Sequence, residues 1–139
     1  MLHRNYRFAN STEVAMWAKE KPKVYNYVSF DGLDFSNMDL SGMRFRKCSF
    51  YKCKFLNTKL CHTDLYGSYM CCSDFTNADM TFANIRYCKF TGSTFTNCTF
   101  RVNNLKHKYD IIMGRTSNLT NEQIDTANIR LNVDEITGK

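Results

Sequence analysis

Residues 73–87 read SDFTN, ADMTF and ANIRY, three consecutive groups of five that share one arrangement. Each group begins with a small residue, has an apolar residue at its centre and is mostly polar elsewhere. Extending this register in both directions gives Phe, Leu, Ile or Met at every position divisible by five from 30 to 105, sixteen times in succession. Since an α-helix needs apolar residues three and four apart and a flat strand needs them two apart, a period of five predicts neither.

The residue two positions before each central one is mostly small: Cys48, Cys53, Thr58, Thr63, Ser68, Ser73, Ala78, Ala83, Cys88, Ser93 and Cys98. Over residues 28–105 the pattern resembles that of the pentapeptide-repeat family, in which a small residue, a polar residue, Leu or Phe, and two polar residues recur. The resemblance implies an all-β solenoid, a right-handed quadrilateral β-helix of about four coils with short helical N- and C-terminal caps. Four pentads would make each coil, and stacking at about 4.8 Å would give a rod roughly 20 Å long.

A coil of twenty residues places residues twenty apart in one column. Each of the resulting columns groups side chains that can stack favourably. The inner columns include one of Phe35, Phe55, Phe75 and Phe95. An outer column consists of Asn37, Asn57, Asn77 and Asn97, which predicts a ladder of stacked amides. Two further outer columns alternate in sign, with Asp34, Lys54 and Asp74 in one and Asp39, Lys59 and Asp79 in the other. Opposite charges would therefore be direct neighbours.

The two ends of the chain have a different sequence and predict covers for the open ends of the solenoid. Asn10 or Ser11 is a candidate N-cap of a short helix, and Thr120 to Gln123 has the pattern of a capping box that opens a second helix. We expect one domain over residues 1–139, with an N-terminal cap over 1–27, the β-helix over 28–105, and a C-terminal loop and helix over 106–139.

The sequence predicts no catalytic, cofactor or metal site. The chain has three histidines, but no Ser or Cys nucleophile motif, Gly-rich phosphate loop or pair of carboxylates at a plausible spacing accompanies them. Cys61, His62, Cys71 and Cys72 are close in sequence, but residues ten apart lie on opposite sides of a square coil and cannot share a tetrahedral ion. The cysteines at small positions are expected to be core residues.

Charge is the most informative surface property. The chain has 19 Lys plus Arg against 13 Asp plus Glu, and the repeat gathers basic residues and tyrosines on one face and around the next corner. The candidate partner-binding residues are Arg44, Arg46, Lys47, Lys52, Tyr66, Arg86, Tyr87, Lys89 and Lys106. Alternation of cations with an aromatic is typical of surfaces that contact phosphates and stack on bases. A protein-binding face and a solvated face with Arg resting on Tyr are the other two interpretations.

Without a reactive site, the chain is expected to be a binding protein that inhibits or regulates a macromolecular partner, most simply a protein. The family resemblance implies a nucleic-acid-handling enzyme such as a type II topoisomerase as a candidate partner, and a bacterial or phage source. Family members that mimic duplex DNA are acidic along the rod, whereas this chain has a basic belt and so departs from that pattern. The alternative is direct nucleic-acid binding through the basic, Tyr-containing face. The resemblance also implies a homodimer through the C-terminal segment. The seven cysteines are not arranged as the disulfide framework of a secreted protein, which predicts a cytoplasmic protein with free thiols. The apolar stretches are too short for a spanning helix, so no membrane partner is expected.

Overall fold

Stacked coils with a constant offset of twenty residues form the body of the protein. The computed structural model describes residues 10, 12–13, 24–101, 109–110, 120, 123 and 129–130. The strands in this part are β1 (Val24–Asn26), β2 (Arg44–Arg46), β3 (Asp79–Thr81), β4 (Thr99–Arg101), β5 (Tyr109–Asp110) and β6 (Ile129–Arg130). They pair in parallel as β1 with β2, β3 with β4 and β5 with β6, always between residues twenty apart. Isolated parallel bridges with the same offset, such as Ser29 with Ser49, connect the coils between these strands.

A turn follows every central residue and divides each coil into four short sides. The amide of Leu33 donates to the carbonyl of Phe30 at 3.2 Å, and the same bond recurs along the chain. The third residue of each turn has a positive φ at every fifth position from 27 to 97. Gly and Asn, which tolerate this conformation best, occupy eight of these fifteen positions.

The central residues form the core, as the period predicts. Those from Phe30 to Phe100 are all buried, and Leu105 lies outside the described residues. The Phe55 ring stacks between those of Phe35 and Phe75, at centroid distances of 5.1 and 4.7 Å. Tyr25 is also buried and stacks on Phe45, so the core begins five residues, or one pentad, before the apolar series found in the sequence.

Small inward residues hydrogen-bond the neighbouring coil rather than only filling space. Thr58 Oγ1 donates to the carbonyl of Phe35 at 2.9 Å, and Cys88 Sγ donates to that of Leu65 at 2.9 Å. Both pairs are 23 residues apart, as are the equivalent pairs in other coils. Burial raises the pKa of the Cys88 thiol to about 12, which keeps it protonated as a donor. These small inward side chains are therefore hydrogen-bonded without burying a charge.

The outer columns have the predicted register. Asn57 Nδ2 donates to Asn37 Oδ1 at 3.3 Å, which confirms one rung of the amide ladder. The backbone of Lys54 forms β-bridges with that of Asp34 on one coil and that of Asp74 on the other. Hydrogen bonds from Ser36, and more weakly the charge of Lys54, lower the pKa of Asp34. Opposite charges thus neighbour one another along this side.

Both predicted helix starts have their capping hydrogen bonds. Glu13 N donates to Asn10 Oδ1 at 2.9 Å, and residues 12–13 are helical, which selects Asn10 over Ser11 as the N-cap. Thr120 N donates to Gln123 Oε1 at 2.8 Å while Gln123 N donates to Thr120 Oγ1 at 3.1 Å. Apart from residues 129–130, the remainder of the two expected helices lies outside the described residues.

The C-terminal segment departs from the expected loop and helix at two places. The strand Tyr109–Asp110 lies where a connecting loop was expected, and Ile129–Arg130 lies within the span of the expected helix. Their mutual offset of twenty continues the register of the coils, so ladder pairing overrides the helical spacing of apolar residues here. Gln123 Nε2 donates to the carbonyls of Phe95 and Cys98, both at 2.8 Å, where another coil would otherwise supply donors.

Candidate binding surface

Two adjacent sides of the coils carry the candidate residues. The first side comprises residues 24–27, 43–47, 63–67 and 83–87, and the second comprises 28–32, 48–52, 68–72 and 88–92. We call the outward-facing side chains of these two sides the basic tyrosine face. The structure places Arg44, Arg46, Lys47, Tyr66, Arg86 and Tyr87 on the first side and Lys52 and Lys89 on the second. Lys106 lies outside the described residues.

Charge is distributed unequally between this face and the rest of residues 24–101. The basic tyrosine face has six Lys or Arg and two carboxylates, Asp31 and Asp64. The other two sides have three cations and four carboxylates. Asp31 is itself engaged, since its Oδ1 accepts from Ser49 Oγ at 2.6 Å and from the amide of Tyr51 at 2.8 Å. Positive charge is therefore concentrated on two of the four sides.

Exposed aromatic surface is concentrated on the same two sides. The exposed large hydrophobic residues within the described part of the chain are Val24, Tyr27, Tyr51, Tyr69 and Tyr87, with Tyr87 the most exposed at 49%. All five belong to the basic tyrosine face. Tyrosine and arginine are enriched where proteins bind one another, because they offer a large contact area together with polar groups.

Each tyrosine ring on the face lies beneath a cation. The distances from the charged group to the ring centroid are 5.6 Å for Lys47 and Tyr27, 5.3 Å for Lys52 and Tyr51, 5.1 Å for Arg46 and Tyr66, 5.7 Å for Lys89 and Tyr69, and 5.7 Å for Arg86 and Tyr87. Cation–π contacts of this kind hold long side chains against the surface. The face therefore presents positive groups next to aromatic rings.

Asp64 lies among the arginines of the first side. Its Oδ2 accepts from Arg46 Nε at 2.7 Å and lies 3.4 Å from Arg44 Nε. Its Oδ1 accepts from the amide of Tyr66 and from Asn84 Nδ2, both at 3.2 Å. The Asp64 side chain is 18% exposed, against 55% for Arg44 and 43% for Arg46. One largely buried carboxylate thus contacts two more exposed guanidinium groups.

The contacts of the cysteines and of His62 can be described residue by residue. All seven cysteines lie in the described part of the chain and are free. Burial raises the pKa of the Cys48 and Cys53 thiols to about 12, so these groups remain protonated at neutral pH. The His62 ring packs against Phe82 at 5.1 Å. Within the described residues, no group of three His, Cys, Asp or Glu side chains is arranged to hold a metal ion. The helical residues described there also include no segment long and apolar enough to cross a membrane.

Tyr27 and Asp31 belong to the face but were not among the candidates from the sequence. Tyr27 lies twenty residues before Lys47, and Asp31 lies twenty before Tyr51. The signal was available, since extending the twenty-residue register back by one coil would have placed both residues on these sides.

Comparisons with known proteins agree with this architecture. The family model for pentapeptide repeats matches residues 29–67 and 62–97, with eight copies. A solved pentapeptide repeat protein from the Arabidopsis thaliana thylakoid lumen is 19% identical with a TM-score of 0.65, over 74% of this chain and 72% of that one. A trypsin-treated form of QnrB1, a plasmid-mediated fluoroquinolone resistance protein, is 24% identical with a TM-score of 0.56, over 66% of this chain and 46% of QnrB1. No curated protein sequence matches significantly.

Likeness at these identities concerns the fold, and the chain spans less than half of QnrB1. The repeat match lies over the same residues in which the buried core has a period of five and the β-bridges have an offset of twenty. The chain therefore belongs to the pentapeptide-repeat family.

Proposed function

We propose that this protein is a non-enzymatic binding protein whose basic tyrosine face docks on an acidic surface of a protein partner and so regulates that partner. One observation carries the proposal. Within residues 24–101, the same two sides hold six of the nine cations and every exposed large hydrophobic residue. Charge and aromatic area together are the composition of a protein-binding surface, whereas a merely solvated surface has no need of exposed rings.

The contacts that restrain the side chains of the face support a role in binding. Its strands and bridges are fixed to neighbouring coils, and its cations are held over tyrosine rings. Side chains that are ordered before association lose less conformational entropy when the partner arrives. A carboxylate-rich partner would complement the excess of positive charge and be steered to this side.

Direct nucleic-acid binding is the second candidate, favoured by the column of Arg46, Tyr66 and Arg86. Single-strand binders stack bases on open aromatic rings. Here Arg46 lies over Tyr66 and Arg86 over Tyr87, so a stacking base would have to displace a cation. Contacts to duplex phosphates do not need open rings, and a strong dependence of affinity on salt would reveal them.

The first partner to test is a nucleic-acid-handling enzyme such as a type II topoisomerase. Support comes from family membership and from the fold shared with QnrB1, a fluoroquinolone resistance protein. Because the excess charge of this face is positive, the proposed contact is with an acidic surface of the enzyme rather than with its DNA-binding channel. A homodimer through residues 106–139 remains part of the proposal.

We propose the finer architecture and location on separate grounds. Four turns per coil and the family membership support a right-handed quadrilateral β-helix. The capping bonds at Asn10 and Thr120 support short helices at both ends. Seven free thiols support a cytoplasmic location.

Two variants matched in charge test the binding face. The face variant carries Lys47→Gln, Lys52→Gln and Arg86→Gln, and the control carries Lys54→Gln, Lys59→Gln and Arg101→Gln on the other two sides. Since each exposed ion pair contributes about 0.2–1 kcal/mol, the face variant should bind a labelled oligoglutamate peptide, and a purified type II topoisomerase, about tenfold more weakly. The control should change affinity by less than about twofold, because its charges lie away from the contact.

Fluorescence anisotropy with the peptide, and with a short DNA duplex as the second probe, separates the outcomes. Equal loss in both variants would mean that only net charge matters, and no loss in the face variant would remove this surface from consideration. Tighter binding to the duplex, with an affinity that falls steeply with salt, would establish the nucleic-acid alternative.

A further inference from the structure

We infer that Asp64 is a positioning residue of the basic tyrosine face: its carboxylate holds the guanidinium groups of Arg44 and Arg46 in the orientation in which they bind carboxylates of a partner. The inference rests on the proposed function. The negative charge of Asp64 suggests that it weakens binding to an acidic partner, whereas the inferred role strengthens that binding.

Asp64 contacts each guanidinium at Nε, the nitrogen nearest to the backbone. The two distances are 2.7 Å for Arg46 and 3.4 Å for Arg44. The terminal nitrogens of the same groups do not take part in these two contacts. A guanidinium held in this way retains the donors of a planar fork that pairs with a carboxylate through two parallel hydrogen bonds.

Asp64 is itself fixed well enough to act as an anchor. Its backbone bridges to Arg44 on one coil and to Asn84 on the other, and its Oδ1 accepts from the amide of Tyr66 and from Asn84 Nδ2. Arg46 is in addition held over the Tyr66 ring, 5.1 Å from its centroid. The Arg46 guanidinium is therefore restrained by a carboxylate and an aromatic ring together.

Asp64 affects the affinity for an acidic partner in two opposite ways. As one of two carboxylates on a face with six cations, Asp64 lowers the positive potential, which would weaken binding. As an anchor it orders two long side chains in the free protein, so that less entropy is lost on association. Removing its charge while keeping its shape distinguishes the two effects.

The test is Asp64→Asn, which keeps an oxygen able to accept from the Tyr66 amide but removes the carboxylate that binds the arginines. The matched control is Asp74→Asn, which adds the same charge on another side, where the backbone of Asp74 bridges to Lys54 and Thr94. Affinity for the labelled oligoglutamate peptide is measured by fluorescence anisotropy. We expect Asp64→Asn to weaken binding about fivefold in spite of its higher net charge, and Asp74→Asn to leave it unchanged or slightly tighter. Equal or tighter binding by Asp64→Asn would overturn the inference.

A second background shows whether Asp64 acts through the arginines. In a variant with Arg44→Gln and Arg46→Gln, Asp64→Asn should no longer weaken binding, because there is no guanidinium left to position. A fivefold loss that persists in this background would mean that Asp64 acts through the fold, and would overturn the inference. If Asp64→Asn is neutral while the face variant binds weakly, only the positioning role fails. If the face variant binds as the unaltered protein does, the proposed function itself fails.

Discussion

Replacing Phe55 by alanine tests the stacked core at its centre. The ring is 1% exposed and is parallel to its neighbours, with interplanar angles of 11° to Phe35 and 2° to Phe75. Loss of the buried side chain removes about 2–3 kcal/mol of hydrophobic stabilisation. Loss of two stacked ring contacts removes about 1–2 kcal/mol more. The free energy of unfolding should therefore fall by about 4 kcal/mol, within the usual range for this substitution in a core.

The adjacent Leu56 provides a matched control, because it is only half-buried and its side chain lies outside the core cluster. Leu56→Ala should cost less than about 1 kcal/mol. Urea titrations followed by circular dichroism give both values from the midpoint and slope. A loss below about 1 kcal/mol for Phe55→Ala, or similar losses for the two variants, would refute the inward register of the central residues.

Two further predictions concern ionisation and the turns. Burial raises the pKa of the Cys48, Cys53 and Cys88 thiols from 9.0 to about 12. Below pH 9 these thiols are protonated in both the folded and the unfolded state. Between pH 9 and 12 they ionise only in the unfolded chain, so the free energy of unfolding should fall with rising pH. The fall should be less steep in Cys53→Ser, which has one buried thiol fewer. Urea titrations on both sides of this range measure the slope, and a stability that rises with pH would contradict the burial. Gly42→Ala should cost about 1–2 kcal/mol, because φ is +75° while the added Cβ meets nothing within 4 Å, so only backbone strain opposes it. An unchanged melting temperature would argue against a left-handed conformation at this turn.

The core could be predicted from the sequence because a single apolar residue in every five specifies it. Turn conformations could be predicted less completely. Asn37 and Gly32 suit a positive φ, but Lys47 and Phe82 adopt it as well, since the ladder on either side imposes the turn on whichever residue stands there. At the C terminus the capping box was readable, whereas the bonds from Gln123 to the last coil depend on where the segment returns in space.

The binding face was predictable in composition but not in its internal contacts. The twenty-residue register places Arg46, Tyr66 and Arg86 in one column, and the structure agrees. The same register places Asp64 on the side that carries these cations, but it does not show which cations the carboxylate binds. That choice depends on side-chain reach between coils, and both arginines contacted lie on the coil that precedes Asp64.

The core of this protein repeats every five residues, whereas its surface columns repeat every twenty. An insertion of one pentad would leave every apolar residue facing inward, yet it would move all later side chains by a quarter turn. Placed between Leu65 and Ile85, it would move Arg86 and Tyr87 to a different side from Arg46. Folding thus permits changes of length in steps of five residues, while a surface built across several coils permits them only in steps of twenty. Lengthening or shortening that preserves partner recognition is therefore expected in whole coils.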